Sequence, residues 1–162
     1  MHIGSGWLVT VLLLLPNALF VFFKPVDALP EEADKSKTMQ FMENLERVGQ
    51  AGSFLLPFFY DFQLATTAGK IALACMVVSL SLYYLCWGRY FLKGRRFIWL
   101  YKPLWGIALP MAVFPLLFLF AASAALRSIP LAAATAVLAV GHLSVSAHEF
   151  SRARDTGLHG VK

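Results

Sequence analysis

The sequence predicts an all-α fold: a polytopic transmembrane helix bundle of five spans, N-terminus outside and C-terminus cytoplasmic. Three observations predict it. Hydrophobic residues make up 59% of the 162 residues and charged residues 14%, against about 45–50% and about 25% in an average soluble domain; mean hydropathy is +0.66. Apolar runs of close to ~20 residues recur along the chain, the length a helix needs to cross a ~30 Å hydrocarbon layer. Basic residues, finally, gather in alternate connections between those runs. The whole chain, 1–162, reads as one transmembrane helical domain.

The first span is expected at residues 7–23. The stretch "MHIGSGWLVTVLLLLPNALFVFF" lacks a basic leader, and no small-x-small cleavage signal follows it. It therefore reads as a retained helix rather than a secretory signal. The polar stretch "DALPEEADKSKT" makes residues 24–38 a cytoplasmic loop.

The second span is the difficult one. In "ENLERVGQAGSFLLPFFY" only residues 48–60 are apolar, and 13 residues make ~20 Å of helix, too short to cross. The span is therefore expected at 39–60, with its polar half entering from the inner side. A short outer turn, "YDFQLATTAGK", leads to the third span at 67–87. Residues 88–104 then form a basic cytoplasmic loop that mixes aromatic and cationic side chains. This composition suits the inner interface, with anionic lipid head groups expected at Arg89, Lys93, Arg95 and Arg96.

The fourth and fifth spans are expected at 105–126 and 129–149, joined by the tight turn "RSIP". Pro130 is tolerated at a helix start because its missing N–H has no partner there. Pro16, Pro57, Pro110 and Pro115 are expected inside spans, where they kink helices and free carbonyls. With five spans, twelve of the fourteen basic residues fall on the cytoplasmic side, leaving Lys70 and Arg127 outside. Four spans would split them between the two sides. No internal repeat is present, which disfavours an inverted-repeat transporter.

Polar residues recur at one depth. On a helix Glu43, Arg47 and Gln50 fall at i, i+4 and i+7, with Glu46 beside them, and Glu43 precedes Arg47 in the order that favours an ion pair. Measured from Tyr60, Arg47 and Gln50 lie ~20 Å and ~15 Å deep. In the fifth span "VGHLSVSAHEF" places His142, Ser146 and Glu149 on one face, and His142 lies ~18 Å from Pro130. Asn17 follows Pro16 on the same inner side. Ionisable groups in hydrocarbon are expensive unless paired or hydrated, so their clustering marks a candidate site. The expected pocket is Glu46, Arg47, Gln50 and His142, with Glu43, Asn17 and Glu149 at its rim. Alternatively, the charges are a shallow helix end with Arg47 snorkelling, and the serines serve close packing.

Several chemistries are disfavoured. His142 and His148 are six residues apart, so one helix does not present them as a metal pair. There is no G-x-S-x-G, phosphate loop or C-x-x-C, and Cys75 and Cys86 are eleven apart. No cofactor is expected and no nucleic-acid partner, and the reading leans away from an enzyme. The leading expectation is an amphipathic small molecule or lipid with its head at Arg47 and His142 and its tail against Phe54, Phe58 and the fourth span. Three alternatives stand beside it: a small oligomeric permease with an interface at Gly69 and Gly106, an accessory subunit, and a lipid-modifying enzyme using a Glu/His pair.

The pieces "LERVGQAGSFLLPFFY", "RYFLKGRRFIWLYKPLWGIALPMAVFPLLF" and "VGHLSVSAHEF" together resemble a group of bacterial multi-pass integral membrane proteins with no assigned activity. The resemblance implies the bacterial cytoplasmic membrane and a topology, not a reaction. The five-span plan is also similar to the tryptophan-rich sensory/translocator family. The chain departs from that family's Trp–Pro-rich pattern, so porphyrin or sterol binding does not carry over.

Overall fold

The computed structural model describes residues 4–27, 29 and 34–156. Five helices follow in order: α1 (Trp7–Phe22), α2 (Lys37–Leu55), α3 (Thr67–Leu92), α4 (Pro110–Ala125) and α5 (Ile129–Asp155). Short 3-10 turns at Leu56–Phe59 and Phe97–Leu100 extend α2 and shape the connection before α4. There are no strands among the described residues. Helices α3 and α5 are long and apolar enough to cross a membrane; α1 and α4 are shorter apolar helices. Of the basic residues assigned to the inner side, Lys162 lies outside the described residues, as do residues 28 and 30–33 of the first loop.

Local chemistry sets the boundaries. Ser36, Thr66 and Ser128 cap α2, α3 and α5, each accepting a backbone N–H from the first turn at 3.1–3.2 Å. Such caps satisfy donors that a helix start leaves without a partner. α3 runs on past Arg89 to Leu92 and α5 on to Asp155, and both helices contact the 3-10 turn Phe97–Leu100. α4 starts five residues later than the apolar run suggests. Trp105, Gly106 and Leu109 all take left-handed φ values of 50–82°, and Leu104 and Ile107 pair across a turn. Pro16 and Pro115 lie inside helices as expected. Pro57 falls instead in the 3-10 turn after α2, and Pro110 opens α4.

The helices run up and down. At one end, Ser5 donates its N–H to Asp61 and Gln63 donates to the carbonyl of Ala125, near the end of α4. At the other end the Tyr90 hydroxyl donates to the Phe23 carbonyl at 2.9 Å. There Asp27 accepts from the Arg96 guanidinium (3.2 Å) and from the Phe97 N–H (2.6 Å), tying the α1–α2 loop to the α3–α4 connection. Lys70 and Arg127 lie at the first end, and the loop cations at the second.

Two tight antiparallel pairs, α2 with α5 and α3 with α4, form the body, and α1 lies across both with few contacts. The α3 stripe Ala72, Met76, Ser79, Tyr83, Cys86 and Tyr90 is buried at three- and four-residue spacing against Phe114, Phe118 and Leu119 of α4. The outward faces are apolar too: Ile71, Val77 and Val78 of α3 are 57–60% exposed, and Val140 of α5 52%. Gly69 serves the fold from within. A Cβ there would meet the Gln63 carbonyl oxygen at 2.0 Å, so close packing within the chain itself requires glycine at this position.

Candidate functional site

The α2–α5 contact builds the site. Backbones meet at two glycines: a Cβ on Gly49 would lie 2.4 Å from the Leu138 nitrogen, and one on Gly141 2.4 Å from the Glu46 nitrogen. Only glycine allows that approach. It brings the next side chains together, and His142 Nδ1 meets Glu46 Oε1 at 2.7 Å. Gln50 Nε2 donates to the same oxygen at 3.3 Å. An ionised carboxylate only accepts, so Nδ1 carries the proton in this bond and Nε2 is the remaining ring nitrogen.

Beside this pair a cavity of about 440 Å³ lies between all five helices. Leu13, Phe54, Leu138 and Leu119 line it toward mid-bundle, and Phe20, Trp87 and Leu100 line it toward the basic end. Phe20 and Tyr83 pack edge-on against Trp87, with centroids 5.7 and 6.3 Å away. Seven residues with polar side-chain atoms line the cavity: Asn17, Gln50, Tyr83, Trp87, Tyr101, His142 and Ser146.

Three of the seven are already engaged. Gln50 holds Glu46, the Tyr83 hydroxyl donates to Asn17 Oδ1 at 3.2 Å, and Asn17 Nδ2 donates to the Leu13 carbonyl. The other four keep capacity, and Trp87 Nε1 is buried with no partner among the described residues. Among the described residues the Tyr101 hydroxyl, the Ser146 hydroxyl and His142 Nε2 have no hydrogen-bond partner. Ser146 is only 6% exposed. Burial, reinforced by the Glu149 and Glu46 carboxylates, pushes the Tyr101 phenol well above its ordinary value, so it stays a neutral hydroxyl.

The residues expected from sequence separate into two groups. Glu46, Gln50, His142 and Asn17 meet at or behind the cavity wall. Arg47 does not. The inward stripe of α2 is Met42, Glu46, Gly49 and Ser53, and Arg47 is one residue off it, exposed on the opposite face with no ion pair among the described residues. Glu43 is therefore not bonded to Arg47; it pairs with Lys35 across the start of α2. Glu149 accepts from Arg152 at 3.0 Å, one helical turn on.

The connection before α4 is held from within. Arg89 donates to the carbonyls of Pro103 (3.0 Å), Trp99 and Lys102, and Arg96 is held by Asp27. These two guanidiniums hold the loop together. Lys93 and Lys102 instead flank the Trp99 ring at 5.6 and 4.5 Å, and Arg95 lies over Phe23 at 5.8 Å, where cations meet aromatic faces. Sequence reasoning missed Tyr101, because "IWLYKPLW" has the pattern of an interfacial aromatic belt; nothing local to it signals a cavity wall. No group of three or more His, Cys, Asp or Glu placed to hold a metal occurs among the described residues.

No family model, curated protein or solved structure matches the chain.

Proposed function

We propose that the chain is a five-span membrane bundle that binds an amphipathic small molecule or lipid in the cavity beside the Glu46–His142 pair. One observation carries the reading. A cavity within the ~300–1,000 Å³ range of ligand sites has an apolar wall and four uncommitted polar groups: Trp87, Tyr101, His142 and Ser146. Trp87 Nε1 is buried without a hydrogen-bond partner among the described residues; buried polar groups ordinarily find one, and here a ligand head supplies it beside the open Tyr101, His142 and Ser146 groups. The apolar part then lies along Leu13, Phe54 and Leu119.

The membrane setting is supported by the outward faces. The exposed face of α2 is largely polar over residues 37–47 and apolar from Val48 onward, which supports entry of its polar half from the inner side with Arg47 snorkelling toward the head groups. The cations at the loop end favour the cytoplasmic side by the positive-inside rule. On this reading the polar end of the cavity lies in the cytoplasmic leaflet. Lys93, Lys102 and Arg95 then contact anionic head groups, while Arg89 and Arg96 stay with the loop.

The test is thermal unfolding of the purified chain in lipid nanodiscs titrated with long-chain amphiphiles. Stabilisation of the wild type is expected, retained in Arg47→Ala and lost in a His142→Leu/Ser146→Ala double variant. A wild type that no amphiphile stabilises, or a double variant that responds as the wild type does, overturns the reading.

A further inference from the structure

The head group that the cavity accepts can be narrowed by what its wall lacks. Among the described residues no Lys, Arg, Asp or Glu side chain lines it. Of the two carboxylates near it, Glu46 is already held by His142 and Gln50. Glu149, nearby, is held by Arg152, and Arg47 faces away. With His142 neutral, a phosphate or carboxylate head would enter with no cation to meet it, and an ammonium head would find both acids already bonded. Burying an unpaired charge costs several kcal/mol, a penalty that an uncharged head on the same chain does not carry.

The uncommitted groups define the complement. In a neutral imidazole whose Nδ1–H is given to Glu46, Nε2 is an acceptor. The Tyr101 and Ser146 hydroxyls each supply a donor and acceptor capacity. A ligand hydroxyl matches this set: its proton goes to Nε2 and its lone pairs accept from Tyr101 or Ser146. A plain carbonyl head has no proton for Nε2 and leaves that nitrogen without a partner. The aromatic floor of Phe20, Tyr83 and Trp87 packs against an apolar or planar body without requiring charge.

Resting on the proposed binding function, we infer that the site selects an uncharged amphiphile with a hydroxyl head, of the class of long-chain and isoprenoid alcohols and quinols, and rejects the matching anionic and cationic amphiphiles. His142 accepts the ligand proton, Tyr101 and Ser146 donate to its oxygen, and Glu46 positions the imidazole without touching the ligand.

Three probes sharing one chain test this: dodecanol, dodecyl phosphate and dodecyltrimethylammonium. Binding is read from tryptophan fluorescence of the full chain in nanodiscs, with Trp87→Phe reporting whether the change arises at the cavity. Affinities are expressed per mole fraction in the bilayer, using empty nanodiscs as reference. Dodecanol is expected to bind at least tenfold more tightly than either charged probe. The Tyr101→Phe/Ser146→Ala variant, which removes two hydroxyls and little volume, is expected to reduce that preference to less than threefold while still binding the chain. Equal or tighter binding of the phosphate or the ammonium, or a preference unchanged in the variant, overturns the head-group assignment and leaves cavity binding standing. Failure of all three probes to alter the Trp87 signal overturns both.

Discussion

At position 47 a guanidinium points outward, and at 46 and 142 a carboxylate and an imidazole share a proton bond. One helical step of ~100° separates these outcomes. The i, i+4, i+7 spacing of Glu43, Arg47 and Gln50 is real, but it is not the stripe that α2 turns toward α5. That stripe is set by where the backbone can come closest, at Gly49, and Glu46 lies on it. Polarity in the sequence thus reveals the depth of a site and not its azimuth. Tyr101 illustrates the complementary gap: its role depends on a loop folding back beneath the bundle, which local pattern does not encode. It also gives a measurable consequence. Its phenol is raised by burial first, then by Glu149 and Glu46, so above about pH 10 the unfolded chain loses a proton that the folded chain keeps. Fewer protons bound in the unfolded state means stability falls as pH rises, by up to about 1.4 kcal/mol per pH unit for this group. Unfolding measured between pH 8 and 11 is expected to show a shallower alkaline decline in Tyr101→Phe than in the wild type. Identical declines would mean the phenol is not held neutral by the fold.

At the scale of elements, the α2–α5 pair is the device that creates the site, and two glycines make it. The sequence displays Gly49 and Gly141 plainly, together with the small-residue run "LAAATAV" that admits close packing. What it does not display is their register, which decides that Gly141 faces Glu46 rather than Asn44 or Arg47. An added methyl at Gly141 would fall 2.4 Å from the Glu46 nitrogen and 2.7 Å from the Met42 carbonyl oxygen, both backbone atoms that cannot swing aside. The helices must then separate, and the Glu46–His142 bond lengthens with them. Gly141→Ala is expected to lose about 1–3 kcal/mol of stability together with the amphiphile response. Gly88 in α3 is the contrasting case, with nothing within 4 Å of an added Cβ. Gly88→Ala is expected to gain about 0.5–1 kcal/mol, because alanine has less backbone freedom to lose in a helix. Denaturation of the two variants side by side checks both signs. Destabilisation of equal size would show that the close approach at Gly141 is not the cause.

For the molecule as a whole, apolar side chains cover the outside as well as the core. Leu15 and Leu85 are 54% and 48% exposed, and Phe22 79%. A single-domain protein in water rarely leaves so much apolar area uncovered on so many faces. That property was legible from composition, and the apolar runs placed the starts of α1, α2, α3 and α5 to within about two residues; left-handed residues at Trp105, Gly106 and Leu109 delay α4, and α3 and α5 run on to Leu92 and Asp155, past their expected ends. The up-and-down course adds a constraint that composition lacks: Asp27 and Arg96 are in contact, so the first and third connections share an end whatever surrounds them. If the bundle crosses a membrane five times, those connections share a compartment, with the turn before α3 on the other side. In a Cys75→Ala/Cys86→Ala background, single cysteines at Asp34 and Lys93 are therefore expected to react with a membrane-impermeant maleimide only after permeabilisation. A cysteine at Ala65 is expected to react in intact cells. Asp34 and Lys93 labelling from opposite sides would exclude the five-span topology and, with it, the placement of the Tyr101 end of the cavity in the cytoplasmic leaflet.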